Sequence, residues 1–368
     1  MGSAGHDKLI SGQFMLPVIP SGIENNDPGT RGFYAPPPSS DYVPRSYPLT
    51  DVRPVVSRPD YSPEDLLKSH GFALVKHRSP FLDELDGHAD EHAVNNVYAA
   101  ETTELVCRAV GAKRAFALVR VMRQGQPASQ DSTGPTSNKT TSDNLSGQKG
   151  LLVSKPIRMP HMDCTPLGAR HIIRFDNEGI YTAARESGVI AVEDAICEKL
   201  GLSATAKGAT AALAENYNQG DRLGPRYAYY SIWRPLKKVG RDPLALGPRR
   251  KEVGEAGGDM VYWTYHSKVP GAKGLSDRPD GEYLTQRAML GVRAEEPRAG
   301  ECPEELKWHY VSAQEPDEVW FVKLFDSASL GADSQHASAP WHGSPDLGDA
   351  AESDEPRESI ELRVMAFW

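Results

Sequence analysis

The sequence predicts an α+β protein that is mainly β: a double-stranded β-helix (jelly-roll) core with flanking helices and an extended N-terminal arm. Three observations predict it. Many short runs of β-branched and aromatic residues are separated by turn-forming clusters. The few segments with helical spacing lie near the front of the chain. The 368 residues include 29 Pro and 33 Gly at a mean hydropathy of −0.50, so turns and strands should outweigh helices.

Residues 1–60 are rich in Pro, Gly, Ser and Asp, with a run Pro36-Pro37-Pro38-Ser39-Ser40. They read as an extended arm with little regular structure, able to wrap the core or a partner subunit. A homodimer is therefore permitted. Residues 61–368 read as a single jelly-roll domain. Ser62 can cap a short helix, with Pro63 in its first turn, Glu64 and Asp65 at its positive end, and His70-Gly71 as its stop. Phe72 to His77 reads as a strand. Val97 to Val110 has helical spacing, closed by Gly111, and Ala115 to Met122 is a strong strand.

Residues 124–150 are polar and low in complexity, and read as a flexible loop or lid. A strand carrying Arg158 to Thr165 follows. Glu186 to Leu200 reads as a helix and Ala204 to Asn216 as another, together a helical insert over 185–216. Arg226 to Leu236 alternates as a barrel strand does, and Met260 to Tyr265 is a further strand. Residues 267–281 are a Gly/Pro/Asp loop. Trp308 to Ser312 and Val319 to Phe325 read as paired strands joined by a turn at Ala313 to Glu318. Asp326-Ser327 reads as a turn, 327–356 as loop, and Ser359 to Phe367 as a strand of period two.

The totals exclude several function classes. Net charge is −9 and no Lys/Arg-rich block occurs, which argues against nucleic acid or an anionic membrane surface as a partner. Cys107, Cys164, Cys197 and Cys302 are widely spaced with no CxxC, as in reduced thiols rather than a disulfide framework or zinc site. There is no basic N-terminal segment followed by an apolar run. No stretch approaches the length of about 20 apolar residues that a membrane span needs. The expectation is a soluble cytoplasmic protein.

The chemistry centres on His161-Met162-Asp163. On an extended strand, residues i and i+2 point to one face, so one imidazole and one carboxylate converge. A third ligand from downstream would complete the two-His-one-carboxylate face that holds Fe(II) and leaves positions open for substrate and O2. Alone the triplet is a weak signal in a chain with 11 His. Two histidines compete for the third place, His342 and, as the alternative, His336. Arg357 and Ser359 follow at the head of the last strand, 15 residues after His342. A guanidinium fork beside a hydroxyl suits one carboxylate. That is what 2-oxoglutarate needs: its keto-acid end chelates iron and its far carboxylate is clamped. The ordered set is far more specific than any part. Arg234 before Pro235 is a further candidate for a substrate or co-substrate carboxylate, or a partner for a buried acid such as Asp242.

These stretches resemble the asaB-like fungal hydroxylase/desaturase family, which includes the gibberellin desaturase and relatives of the cephalosporin methoxylation proteins. The resemblance is carried by Gly71 to His77, His161 to Thr165 with Gly168-Ala169, and Trp233-Arg234-Pro235-Leu236 with Arg241 to Ala245. Pro316 to Val319 with Lys323 to Ser327, and Arg357 to Arg363, complete it. The resemblance implies an iron oxygenase, like the 2-oxoglutarate-dependent enzymes, that oxidises a small-molecule secondary metabolite. It supports His161 and Asp163 as ligands and favours His342, whose context is His342-Gly343-Ser344. Two alternatives stay open: an oxygenase whose substrate chelates the metal without 2-oxoglutarate, and a jelly-roll binding protein without catalysis.

Overall fold

Runs of strand-forming residues, interrupted by Gly, Pro and Asp turns, produce fourteen strands in the described residues of a computed structural model. The structure describes residues 10–19, 42–83, 94–124, 152–202, 212–213, 225–249, 259–268, 282–293, 307–331 and 334–368. The strands are β1 (Ile10–Ile19), β2 (Tyr42–Asp51), β3 (Phe72–Lys76), β4 (Arg114–Gln124), β5 (Leu152–Ser154), β6 (His161–Met162) and β7 (Tyr227–Pro235). They continue with β8 (Ala245–Arg249), β9 (Asp259–Lys268), β10 (Glu282–Arg293), β11 (Trp308–Tyr310), β12 (Glu318–Asp326), β13 (Pro340–Gly343) and β14 (Glu358–Phe367). One sheet runs β1-β2-β11-β8-β13-β6-β10-β9, and a β1–β10 pairing closes its first seven strands into a ring. The other runs β3-β12-β7-β14-β4-β5. This is the jelly-roll that the strand pattern predicts.

Three of the expected helices lie where their signals place them, and two more stand between β6 and the last of these. Helix α1 (Pro63–His70) is capped by Ser62, which accepts from the Asp65 amide, and ends at left-handed Gly71, φ 81°. A side chain at Gly71 would also strike the Ser338 carbonyl at 2.5 Å. Helix α2 (Ala99–Val110) ends at Gly111. Three helices follow β6: α3 (Pro166–Phe175), α4 (Glu178–Glu186) and α5 (Val189–Lys199). Only the last of these is the helix expected over Glu186 to Leu200. The Thr165-Pro166 start of α3 is a cap signal: Thr165 Oγ1 accepts from the Gly168 amide at 3.1 Å. Most of the expected helix at 204–216 and the whole loop from 125 lie outside the described residues, as do 269–281. Among the described residues no helix is long and apolar enough to cross a membrane.

Three expectations are corrected. The N-terminal arm contains two regular strands, β1 and β2, paired antiparallel from Ile10↔Leu49 to Pro17↔Tyr42. Phe14, Leu16, Tyr47 and Leu49 join a core cluster with Trp308 and Trp341, so this part of the arm completes the chain's own sheet. The strands at 308 and 319 do not pair with each other. β11 pairs with β2 and β8, while β12 pairs with β3 and β7 in the other sheet. Asp326 is more than a turn residue. Its carboxylate is fully buried, accepts from Arg226 at 3.0 and 2.8 Å, and lies 2.7 Å from buried Lys323 Nζ.

Burial pushes the Asp326 pKa up, but Lys323 and Arg226 outweigh it and hold the carboxyl below its ordinary value. A depressed carboxylate contributes stability that is present above its unfolded pKa and lost as pH falls through the folded one. Asp326→Asn should therefore lower stability by about 1.5–3 kcal/mol at neutral pH, the range for a hydrogen bond to a charged group. The deficit should shrink toward acid pH. Urea unfolding of both proteins from neutral to acid pH checks it; a deficit independent of pH would refute the assignment.

The two faces of the second sheet set up the site. Alternate residues Ala228, Tyr230 and Ile232 of β7, and Ile360, Leu362, Val364 and Ala366 of β14, pack outward against Tyr98, Leu105 and Val106 from the α2 region. The other alternates face the interior between the sheets. There β7 presents Ser231 and Trp233, and β14 presents Ser359, Glu361 and Arg363, all buried.

Candidate metal and co-substrate site

β6 and β13 are antiparallel neighbours in register at His342↔His161, so the two imidazoles project from one face of the sheet. Their ring centroids are 4.4 Å apart. Asp163 follows His161 by two residues and turns its carboxylate to the same point. Asp163 Oδ1 is 3.9 Å from His161 Nε2, and Oδ2 is 3.5 Å from His342 Nε2. One ligand atom from each of the three lies within 4.8 Å of the others, and all three residues are buried.

The tautomer of His161 is set by its surroundings. Its Nδ1 lies 2.8 Å from the Met159 carbonyl, which can only accept, so Nδ1 carries the proton and Nε2 presents its lone pair. Close packing holds that carbonyl in place: a side chain on Gly343 would meet the Met159 oxygen at 3.2 Å and Phe14 at 3.1 Å. Two nitrogens and one carboxylate oxygen, converging in a buried pocket, form a donor set that fits a divalent transition metal.

His336, the other candidate, is elsewhere. Its Nδ1 lies 3.9 Å from Asp326 Oδ2 in the buried ionic cluster, and it is not among the converging ligands. Burial, the largest cause, lowers its pKa.

The pocket beside the triad is lined by His161, His342, Ser231, Trp233, Glu361 and Arg357 among others. Arg357 stands in it 2% exposed, its guanidinium carbon 5.1 Å from the Trp233 ring centroid. Its Nη1 donates to the Asp242 carbonyl at 2.5 Å and to Ser344 Oγ at 3.0 Å. Ser359 is fully buried and its Oγ finds no hydrogen-bond partner among the described residues. A buried hydroxyl without a partner is costly, and a ligand carboxylate would satisfy it. Arg357 and Ser359 thus fit a bound anion.

Arg234 does not share this pocket. One residue on from Trp233, it faces outward, donating to the His77 carbonyl at 2.7 Å, the Pro316 carbonyl at 2.9 Å and the Tyr98 hydroxyl at 3.1 Å. Its place is in the packing between β7 and α2. The candidate role of Arg234 in co-substrate binding is corrected accordingly: alternation along the strand aims it at the wrong face.

Two charged residues of the site went unread in the sequence. Arg363 Nη2 donates to Asp163 Oδ2 at 2.6 Å, and Arg363 Nε to Glu361 Oε1 at 3.3 Å. Ser231 Oγ donates to the same Glu361 oxygen at 3.0 Å. The period-two pattern of β14 separates Glu361 and Arg363 from Ile360, Leu362 and Val364. A polar face usually meets solvent, whereas here it lines the interior and the apolar face meets helix α2. Tyr229, on the same inner side, has its phenol pKa raised by burial.

Comparison with known proteins adds the following. A family model described as an oxidoreductase/YMDC permease-like domain matches residues 282–367. The chain is 31% identical over 362 residues to oxidoreductase chry3 of Gibberella zeae, covering 87% of this chain and 89% of that one. It is 28% identical over 343 residues to the gibberellin cluster GA4 desaturase of Gibberella fujikuroi, covering 87% and 86%. Among solved structures, the iron and alpha-ketoglutarate-dependent endoperoxidase NvfI superposes with a TM-score of 0.54 at 22% identity, covering 97% of each chain, a likeness of fold. Identity that extends through both chains almost from end to end is what common descent of whole proteins leaves, and the chain belongs to the fungal hydroxylase/desaturase family of these relatives.

Proposed function

We propose that this protein is an Fe(II)- and 2-oxoglutarate-dependent oxygenase that oxidises an unactivated C–H bond of a small-molecule secondary metabolite, by hydroxylation, desaturation or oxidative cyclisation. The observation that carries the reading is a metal-type donor set and an anion-type donor set in one buried interior. His161, Asp163 and His342 converge there, Arg357 lines the pocket beside His161 and His342, and Ser359 is buried two residues on from Arg357. The names of the relatives agree with it: a desaturase, and in fold an endoperoxidase dependent on iron and alpha-ketoglutarate.

When bound, iron together with 2-oxoglutarate and oxygen supplies the oxidising chemistry. The chain's residues do the rest. His161 and His342 would hold the metal through ring nitrogens and Asp163 through a carboxylate oxygen. Met159 fixes which His161 nitrogen faces the metal, and Arg363 holds an Asp163 oxygen. Arg357 pairs with the far carboxylate of 2-oxoglutarate and Ser359 donates its hydroxyl proton to the same group. Trp233, Leu244 and Val322 supply apolar surface to the pocket wall.

The test is conversion of 2-oxoglutarate to succinate by the Fe(II)-loaded protein in oxygen. Wild type should form succinate, slowly without substrate and faster with it, while His161→Ala and Asp163→Ala, folded by circular dichroism, should form none. Succinate formation undiminished in either variant, or its absence in iron-loaded wild type, would refute the reading.

A further inference from the structure

We propose that Asp242 is the positioning residue that fixes the Arg357 guanidinium relative to the metal-binding face. This rests on the reading of Arg357 as the clamp for the far carboxylate of 2-oxoglutarate. Asp242 is 2% exposed and adopts a left-handed backbone, φ 54°. That conformation is uncommon outside glycine, with Asp and Asn its most tolerant occupants. Strain of this kind persists where the surroundings over-determine it.

Here they do. Arg158 Nη1 lies 2.7 Å from Asp242 Oδ1, and Arg241 Nε 3.0 Å from Oδ2. The Asp242 carbonyl accepts from Arg357 Nη1 at 2.5 Å and from Ser344 Oγ at 2.9 Å. Ser344 Oγ in turn accepts from Arg357 Nη1 at 3.0 Å. The Ser344 amide donates to the Ile157 carbonyl at 2.8 Å, and Arg158 Nη1 donates to the Ser344 carbonyl at 3.1 Å.

The consequence follows from where these residues sit. Arg158 precedes the ligand His161 by three positions, Ser344 follows the ligand His342 by two, and Arg357 stands immediately before β14. One residue therefore ties both metal-bearing strands to the clamp. Metal and clamp must grip opposite ends of one short diacid, so their separation has to be set to a fraction of an ångström. The Asp242 carboxylate anchors the residue, and its carbonyl carries the setting to Arg357.

Charge and position predict opposite signs for Asp242→Asn. Asn keeps the left-handed backbone and the carbonyl but loosens the anchor. If only the field mattered, removing a negative charge near an anion site would tighten binding. If position matters, binding weakens. The experiment is calorimetric titration of Mn(II)-loaded protein, free of oxygen, with 2-oxoglutarate and with 2-oxobutyrate. The second compound has the same keto-acid end and no far carboxylate.

In Asp242→Asn, 2-oxoglutarate should bind about tenfold more weakly, with 2-oxobutyrate unchanged within about twofold. Unchanged or tighter 2-oxoglutarate binding, or equal weakening of both compounds, would overturn the proposal. Arg241→Gln, which loosens the same anchor from the other side, is scored by the same split if Asp242→Asn does not fold. A wild type that binds both compounds equally would overturn the clamp reading itself. A preference for 2-oxoglutarate that keeps its full wild-type size in Asp242→Asn overturns this proposal alone.

Discussion

His342→Ala should abolish the weak visible charge-transfer band that 2-oxoglutarate produces on the Fe(II)-loaded protein in the absence of oxygen, while His336→Ala should leave it intact. The two histidines stand six residues apart in one segment, so the pair of variants separates a ligand from a neighbour. His342 Nε2 lies within the converging set, 3.5 Å from Asp163 Oδ2, whereas the His336 ring neighbours Asp326 in another cluster. Loss of residues that merely support ligands costs about 10–100-fold in metal affinity. Loss of one of three protein ligands should exceed the upper end of that range. Titration with Fe(II) under nitrogen, before and after adding 2-oxoglutarate, gives the affinity and the band together. A band that survives His342→Ala would remove His342 from the metal.

How much of this was legible in the sequence depends on the range of each signal. His161 and Asp163 were readable because the spacing that aligns them is local. The choice between His336 and His342 was not, because it is made by the register of β13 on β6, a pairing between segments 181 positions apart. β1 and β2 were read as irregular because they contain Pro17, Pro44 and Pro48. Proline has no amide to donate. β2 can carry Pro44 and Pro48 because its pairing with β11 begins only at Leu49, so the preceding residues bond β1 alone among the described strands. Glu361 and Arg363 went unread for a different reason: a buried polar row has the same sequence pattern as a solvated one. Which face is inside follows from α2, whose apolar side covers Ile360, Leu362 and Val364.

Arg357→Met should weaken 2-oxoglutarate binding by about 100- to 1,000-fold, which is about 3–4 kcal/mol, without a comparable loss of metal affinity. The magnitude comes from the bonds at stake. A guanidinium fork on a carboxylate makes two charge-assisted hydrogen bonds, each worth about 1.5–3 kcal/mol in a water-excluded pocket. Methionine fills the space over Trp233 and so limits the collapse that a smaller residue would invite. The Ser359 hydroxyl alone cannot replace a buried counter-charge, so Arg357→Lys should recover only part of the loss. An ammonium places one charge where the fork placed two parallel donors, and it loses the guanidinium that lies over the Trp233 ring. The order wild type, Lys, Met in 2-oxoglutarate affinity, at constant Mn(II) affinity, is the expected series. Equal affinities in all three would show that the anion is held elsewhere, and a parallel fall in metal affinity would show that Arg357 supports the ligand strands rather than the co-substrate.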